Sequence, residues 1–334
     1  MLVVAAGALS GCAADTAGGD GDQRTLRLGM VAAEGSVQHE AAEYFADAVA
    51  EASDGSLEIQ VFPAGQIGSD ESLGQDLGTG ALDFAFLNQG SMAGVDPLLD
   101  FHYLPYIVNN YAQADELYYG DGIIPQTMTE TLAEHDIRAL GWYELEFRGF
   151  STSDGPVEEP ADLSGQKVRV PGSAAIGAFF ENVGAQPVTI PMPELYSALQ
   201  QKTVDAQDNG LLITYDNRFF EINDHYTMTR HVYASGTIAA SESVWQTLSE
   251  EEAGWIQAAA EETQTWEIDA ERAATEDYTQ LMRDEGVEVT ELDDAALAEF
   301  QEAGREIWDE MADVYGDERL EALRAEVDAV ADLE

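Results

Sequence analysis

Hydrophobic and polar positions alternate along this chain in two rhythms. Residues 26–32 (Leu-Arg-Leu-Gly-Met-Val-Ala) read as a buried strand. Residues 37–52 place Ala41, Tyr44, Phe45, Ala48 and Val49 on one helical face, and Asp54-Gly55 ends that helix. Residues 57–62 alternate and predict a strand, followed by a Pro/Gly loop through Gly68, a helix at 70–79 and a third strand at 82–87. Strand, helix, strand, helix, strand is the pattern of a parallel sheet covered by helices.

The pattern restarts further on. Residues 137–143 and 147–152 read as strands joined at a bend, and 167–170 is a short strand ended by Pro171-Gly172. A helix over 174–183, a strand over 186–189 and a helix from Pro193 to Gln201 follow, proline being favoured in a first helical turn. Residues 204–207 then lead into another strand end. From Ser243 the chain is nearly all helix. Ser249 and Glu252 form a capping box, and neither Pro nor Gly interrupts 255–285. A helix of about 30 residues would run roughly 45 Å, long enough to lie across two lobes. The fold expected is α/β, with two lobes facing one another across a cleft. One lobe is expected to hold residues 25–146 plus about 236–265, the other 147–235 plus about 266–334.

Composition changes this picture in one respect. The 334 residues carry 65 Asp+Glu against 14 Lys+Arg, a formal charge of -51, while 45% of positions are hydrophobic. The apolar content argues against an acidic disordered chain. So strong a negative field repels nucleic acid and anionic membrane surfaces, and neither is an expected partner. The acids are spread along the chain and only Lys167 and Lys202 are lysines, which fits a hydrated anionic surface adapted to high salt.

Cys12 is the single cysteine, so a disulfide framework and a multi-thiolate metal site are excluded. Residues 2–9 are apolar and too few to span a bilayer, the form of a signal peptide. Leu9-Ser10-Gly11-Cys12 resembles the lipobox of exported lipoproteins, which implies lipidation at Cys12, although no basic residue occurs before Arg24. Residues 13–23 are small and polar, as a tether between anchor and folded part would be. Residues 1–24 are therefore expected to be signal peptide and tether.

Enzyme signatures are missing. There is no Gly-x-Ser-x-Gly elbow, P-loop or dinucleotide fingerprint. His39-Glu40-Ala41-Ala42-Glu43 has half of a zinc-protease helix, with Glu43 where the second histidine belongs, and reads as a solvated helix face. Asp20 and Asp22 lack the rest of a calcium loop. No catalytic residue, metal or cofactor is expected.

The scarce cations carry more information than the abundant acids. Arg148 and Arg169 both fall in or beside predicted strands among apolar residues. Arg169 is the penultimate residue of Lys167-Val168-Arg169-Val170, just before a helix start. Ligands of open α/β sheets bind beyond the carboxyl ends of strands, a helix N-terminus adds N–H donors for an anion, and a guanidinium grips a carboxylate with two parallel hydrogen bonds. Pairing with local acids is the alternative for both arginines. Asn209, before Gly210, is either a polar ligand contact or a turn asparagine.

Lys167-Val168-Arg169-Val170-Pro171, the segment 190–200 (Ile-Pro-Met-Pro-Glu-Leu-Tyr-Ser-Ala-Leu-Gln) and the segment 204–209 (Val-Asp-Ala-Gln-Asp-Asn) resemble consecutive signatures of one family. It is the substrate-binding proteins of tripartite ATP-independent periplasmic (TRAP) transporters, the C4-dicarboxylate-binding-like group. Residues 62–68, 80–84 and 141–148 are similar to further motifs of that family, and the resemblance runs from about residue 26 to the end. It implies an extracytoplasmic protein, not an enzyme, that closes around a small organic acid and delivers it to a TRAP-type membrane permease. It implies Arg169 as the main carboxylate clamp, Arg148 as a second cationic contact and Asn209 as a polar one. Met192 falls where an aromatic wall residue is common, Ala206 replaces a frequent glycine, and Asp208 a glutamate. Gln38, Asn88, Ser173 and Tyr233 are expected to line the cleft. The alternatives are a sensory protein presenting ligand to a receptor kinase and a secreted hydrolase or lyase, which would need a nucleophile–base pair or a metal.

Overall fold

The computed structural model describes residues 23–333. Residues 1–22, which hold Cys12 and most of the expected tether, lie outside the described residues, and Arg24, the last residue of that expected segment, already belongs to β1. The first half runs β1 (Arg24–Met30), α1 (Val37–Ala52), β2 (Leu57–Phe62), α2 (Asp70–Thr79), β3 (Phe84–Leu87), α3 (Tyr111–Tyr118), α4 (Ile123–Glu134) and β4 (Ile137–Phe147). After Arg148 come β5 (Gly149–Thr152), β6 (Lys167–Val170), α5 (Ala174–Asn182), β7 (Gln186–Thr189), α6 (Leu195–Gln200), β8 (Ala206–Asn209) and α7 (Leu211–Asp216). The chain ends with β9 (His225–Met228), β10 (Tyr233–Ser241), α8 (Glu242–Trp245), α9 (Glu250–Asp284), β11 (Glu288–Glu291), α10 (Asp294–Glu310), α11 (Ala312–Tyr315) and α12 (Asp317–Ala329).

The strands form two sheets, ordered β2-β1-β3-β10-β4 and β11-β9-β5-β8-β6-β7. β1, β2 and β3 are parallel, as their rhythm predicts. β10 lies antiparallel between β3 and β4, so the first sheet is mixed rather than parallel throughout. All nine residues of β10 are buried, because a central strand covered on both faces has no polar side to alternate with.

The chain leaves the first sheet at Phe147 and enters the second at Gly149, so Arg148 stands at the crossing. The long helix α9 spans 35 residues, about 52 Å. It packs on α1 and β4 of the first sheet and on α7 and β11 of the second. Its capping box is formed as expected, with Ser249 Oγ accepting the Glu252 N–H and the Glu252 carboxylate accepting the Ser249 N–H.

Residues from about 266 to 334 are expected with the second sheet; within them, α12 packs on α4, a helix beside the first. The reason is local. α4 has Gly122 at its N-cap and no capping side chain of its own, and Glu326 of α12 accepts the Ile123 N–H on both carboxylate oxygens at 3.0 Å. Among the described residues no helix is long and apolar enough to cross a membrane.

Candidate functional site

A cleft with roughly 590 Å³ of non-protein space lies between the carboxyl ends of the two sheets. That is within the range of small-molecule sites. The ends of β1 (Met30) and β3 (Phe86, Asn88) form one wall, and the ends of β6 (Arg169, Pro171) and β8 (Asn209) form the other. The position is the strand-end crevice where open α/β sheets bind ligands.

β6 is paired on both sides by parallel strands, β7 and β8. Its register sets Arg169 opposite Val188 and Gln207, with the guanidinium emerging at the strand end. Arg169 Nε donates to the Ile190 carbonyl at 2.8 Å, which aims the group. Its two terminal nitrogens have no protein partner among the described residues, and no carboxylate lies within ion-pair distance of it. Burial lowers its pKa to about 10, so it stays cationic at neutral pH.

Arg148 is differently engaged. Its Nε donates to Asp208 Oδ2 at 2.8 Å, and its Nη2 to the Asp208 carbonyl at 2.6 Å and to Asn209 Oδ1 at 3.1 Å. The guanidinium carbon stands 5.7 Å from the Tyr103 ring centroid. Burial alone would push the Asp208 carboxyl up. The charge of Arg148 and a hydrogen bond from His231 outweigh burial and hold it below the ordinary aspartate range. Arg148 and Arg169 are the only buried cationic side chains among the described residues.

Asn209 ends β8 and donates Nδ2 to Gln207 Oε1 while its Oδ1 accepts from Arg148. Gly210 leaves room for the Glu146 carboxyl, against which any Cβ would collide. Glu146 accepts the N–H groups of Leu212 and Ile213 at the start of α7, which ties the crossing segment to the strand end carrying Asn209. Gln38, Asn88 and Met192 also line the cleft, so six of the eight expected side chains meet there.

Two do not line it. Ser173 caps α5, its Oγ accepting the Ile176 N–H at 3.1 Å and donating to Asp100 Oδ2 at 2.9 Å. The N-cap position turns its side chain back onto its own helix. Tyr233, at the start of β10, donates to Glu144 Oε2 at 2.7 Å and lies 2.9 Å from the Tyr119 hydroxyl, inside a buried network. His39 also departs from expectation. It is buried rather than solvated, and its Nδ1 accepts the Gly35 N–H at 3.1 Å.

Sequence reasoning missed Asp70 and Asp216, both of which line the cleft. Asp70 is the first residue of α2. Its Oδ1 accepts the Asn88 N–H at 3.0 Å, and burial raises its pKa to about 7 against the opposing pull of that N–H and of the Arg169 charge. Asp216 accepts the Tyr278 hydroxyl at 2.9 Å, and burial raises it to about 6.

The site holds an unspent guanidinium, neutral amides and two carboxylates, with no three His, Cys, Asp or Glu side chains gathered as a metal site among the described residues. It is a constellation for gripping an anion.

Comparison with known proteins agrees with that geometry. The family described as bacterial extracellular solute-binding protein, family 7, matches residues 28–314. The sialic acid-binding periplasmic protein SiaP of Vibrio cholerae is 29% identical over 90% of this chain and 92% of its own. The 2,3-diketo-L-gulonate-binding periplasmic protein YiaO of Escherichia coli is 27% identical over 83% of this chain and 84% of its own. Among solved structures, the sugar acid binding protein DctPAm of Advenella mimigardefordensis, in complex with galactonate, superposes with a TM-score of 0.88 at 27% identity. It covers 92% of this chain and 99% of its own. A TRAP periplasmic solute binding protein of Sulfurospirillum deleyianum with bound succinate gives a TM-score of 0.85 at 25% identity over 91% and 99%. With two sheets facing across an anion-gripping cleft and a family match over most of its length, the chain belongs to the bacterial extracellular solute-binding proteins of family 7.

Proposed function

We propose that this solute-binding protein captures a small organic acid in the inter-sheet cleft and delivers it to a TRAP-type membrane permease. The observation that carries the reading is Arg169, a buried guanidinium whose two terminal nitrogens have no protein partner among the described residues. A buried cation left in that state is costly unless a ligand carboxylate completes it. The relatives support the same reading, since similar proteins bind sialic acid, diketogulonate, galactonate and succinate.

The sheet membership of the strands supports a first lobe of residues 25–146 plus about 236–265, extended to take in all of β10 and α12, and a second lobe built around the other sheet. Closure is a hinge at Arg148 and along α9, favoured by ligand contacts made only when the lobes meet. Leu9-Ser10-Gly11-Cys12 supports a lipid anchor at Cys12, and the -51 charge supports adaptation to high salt.

A thermal-shift screen of small carboxylic acids in concentrated salt tests the function. A binding acid present at about 100 times its Kd stabilises the native state by about 2.7 kcal/mol. At least one acid is expected to raise the melting midpoint; a flat response across all acids would contradict the reading.

A further inference from the structure

We propose that a small monovalent anion binds in a second cavity behind the hinge, held by the Arg230 guanidinium and the Tyr111 hydroxyl. That cavity has roughly 350 Å³ of non-protein space. The crossing segment divides it from the acid-binding cleft. Leu145 lines the cleft, Glu146 and Phe147 line the second cavity, and Arg148 lines both. Its walls come from α3 and β4 beside the first sheet and from α7 and β9 beside the second, with Thr275 of α9 between. An occupant therefore touches both sides of the hinge without competing for the cleft.

Arg230 carries the argument. With Lys167 and Lys202 as the lysines, twelve of the 14 cations are arginines. Eleven of them donate a side-chain hydrogen bond within the protein. Arg230 donates none among the described residues, and no acid there lies within ion-pair distance of it, in a chain of 65 acids. Its guanidinium carbon instead stands 5.1 Å from the Phe147 ring centroid. Stacking uses the flat face of a guanidinium and leaves the N–H groups at its edge free to meet an anion. The segment that carries Arg230 is anchored on both sides. Thr229 and His231 are buried, the Thr229 carbonyl accepts the Tyr106 hydroxyl at 2.9 Å, and the His231 carbonyl accepts the Tyr106 N–H at 2.9 Å.

The neighbouring charges set the class of ligand. Arg148 is balanced by Asp208 at 2.8 Å. Arg272, 4.6 Å from the Tyr111 ring centroid, is spent on Glu144 and Asp115 at 2.7 Å each. One unspent cation remains, which fits a single negative charge. Glu146 is the one acid lining the cavity. Burial raises its carboxyl to about 8 against the pull of the α7 N–H groups, so at neutral pH it is mostly uncharged and does not repel an anion. The Tyr111 phenol, raised to about 12 by burial, keeps its proton. Thr275 beside it spends its own proton on the Glu271 carbonyl at 3.3 Å, which leaves Tyr111 as the donor of the pair. The -51 field opposes any anion in dilute buffer and is screened in concentrated salt.

The test is the chloride NMR line width of the whole protein in concentrated sodium chloride at neutral pH, which reads exchange of bound ions. It is run in an Arg169→Ala background, so that chloride does not report from the acid site. Excess broadening is expected to remain there and to fall by about half or more when Arg230→Gln is added. Adding Lys202→Gln, at an exposed cation elsewhere, should change it by less than about a tenth. Bromide and formate should each displace the part that Arg230→Gln removes. Displacement at lower bromide concentration assigns the site to a halide, and at lower formate concentration to a carboxylate. Broadening indifferent to Arg230→Gln, or lost equally with Lys202→Gln, overturns the proposal. Anomalous diffraction from bromide-soaked crystals is expected to place an ion against Arg230 and Tyr111, and a cavity without one overturns it too.

Discussion

Arg148 and Asp208 form a buried ion pair at the crossing between the two sheets, Nε to Oδ2 at 2.8 Å, with side chains 2% and 0% exposed. The pair makes the two arginines of the cleft unequal. Arg148 is a strut that joins the crossing segment to the end of β8, while the terminal nitrogens of Arg169 have no protein partner among the described residues.

Asp208→Ala is expected to lower unfolding stability by about 3–5 kcal/mol, because it leaves the Arg148 charge buried without its partner. Urea denaturation checks this. A loss below about 1 kcal/mol would show that the pair is not the strut described.

Ser173 and Tyr233 are expected to matter for stability and not for affinity. Ser173→Ala removes a helix cap and should cost about 1 kcal/mol. Tyr233→Phe leaves the buried Glu144 carboxylate short of a donor and should cost about 1–3 kcal/mol. Both variants should bind the preferred acid within about twofold of the parent in calorimetry. A loss of about tenfold in either would return that residue to the cleft.

Much of the fold was legible in the residues. α1, β2, α2, β6 and β7 begin and end where the alternation and the Gly, Asp and Pro signals set them, because caps and strict period are local properties. β10 was not legible. Tyr-Ala-Ser-Gly-Thr-Ile-Ala-Ala-Ser has no polar face to mark it, since it is buried on both sides. Arg148 and Arg169 stood out because cations are rare in this chain and these two sit in or beside apolar strands, and Asn209 because it follows a strand signal and precedes Gly210. Asp70 could not stand out among 65 acids. As a first-turn helical acid it looks like any favourable interaction with the helix dipole, and only the tertiary fold brings it into the cleft with Arg169.

Stability should fall as pH rises from mildly acidic to mildly basic. Burial raises the carboxyl pKa to about 7 for Glu144, about 8 for Glu146 and about 7 for Asp70, from ordinary values of 4.5, 4.5 and 3.8. Glu267 and Glu271 are raised by burial as well. Between the unfolded and folded pKa values the native state holds protons that the unfolded chain has released, so each unit of pH costs stability until the folded pKa is passed. In concentrated salt, which screens the surface acids, the melting midpoint should be higher near about pH 5.5 than near about pH 8. A midpoint that rises toward pH 8 would contradict this.

The central claim is that Arg169 holds the ligand carboxylate, and one titration tests it most directly. The preferred acid is titrated calorimetrically into the parent protein and into Arg169→Ala, with circular dichroism confirming that the variant is folded. Truncating one partner of a buried charge pair costs about 2–5 kcal/mol, so the affinity should fall by roughly 30-fold or more. An Arg169→Ala protein that binds the acid within about twofold of the parent would contradict the account.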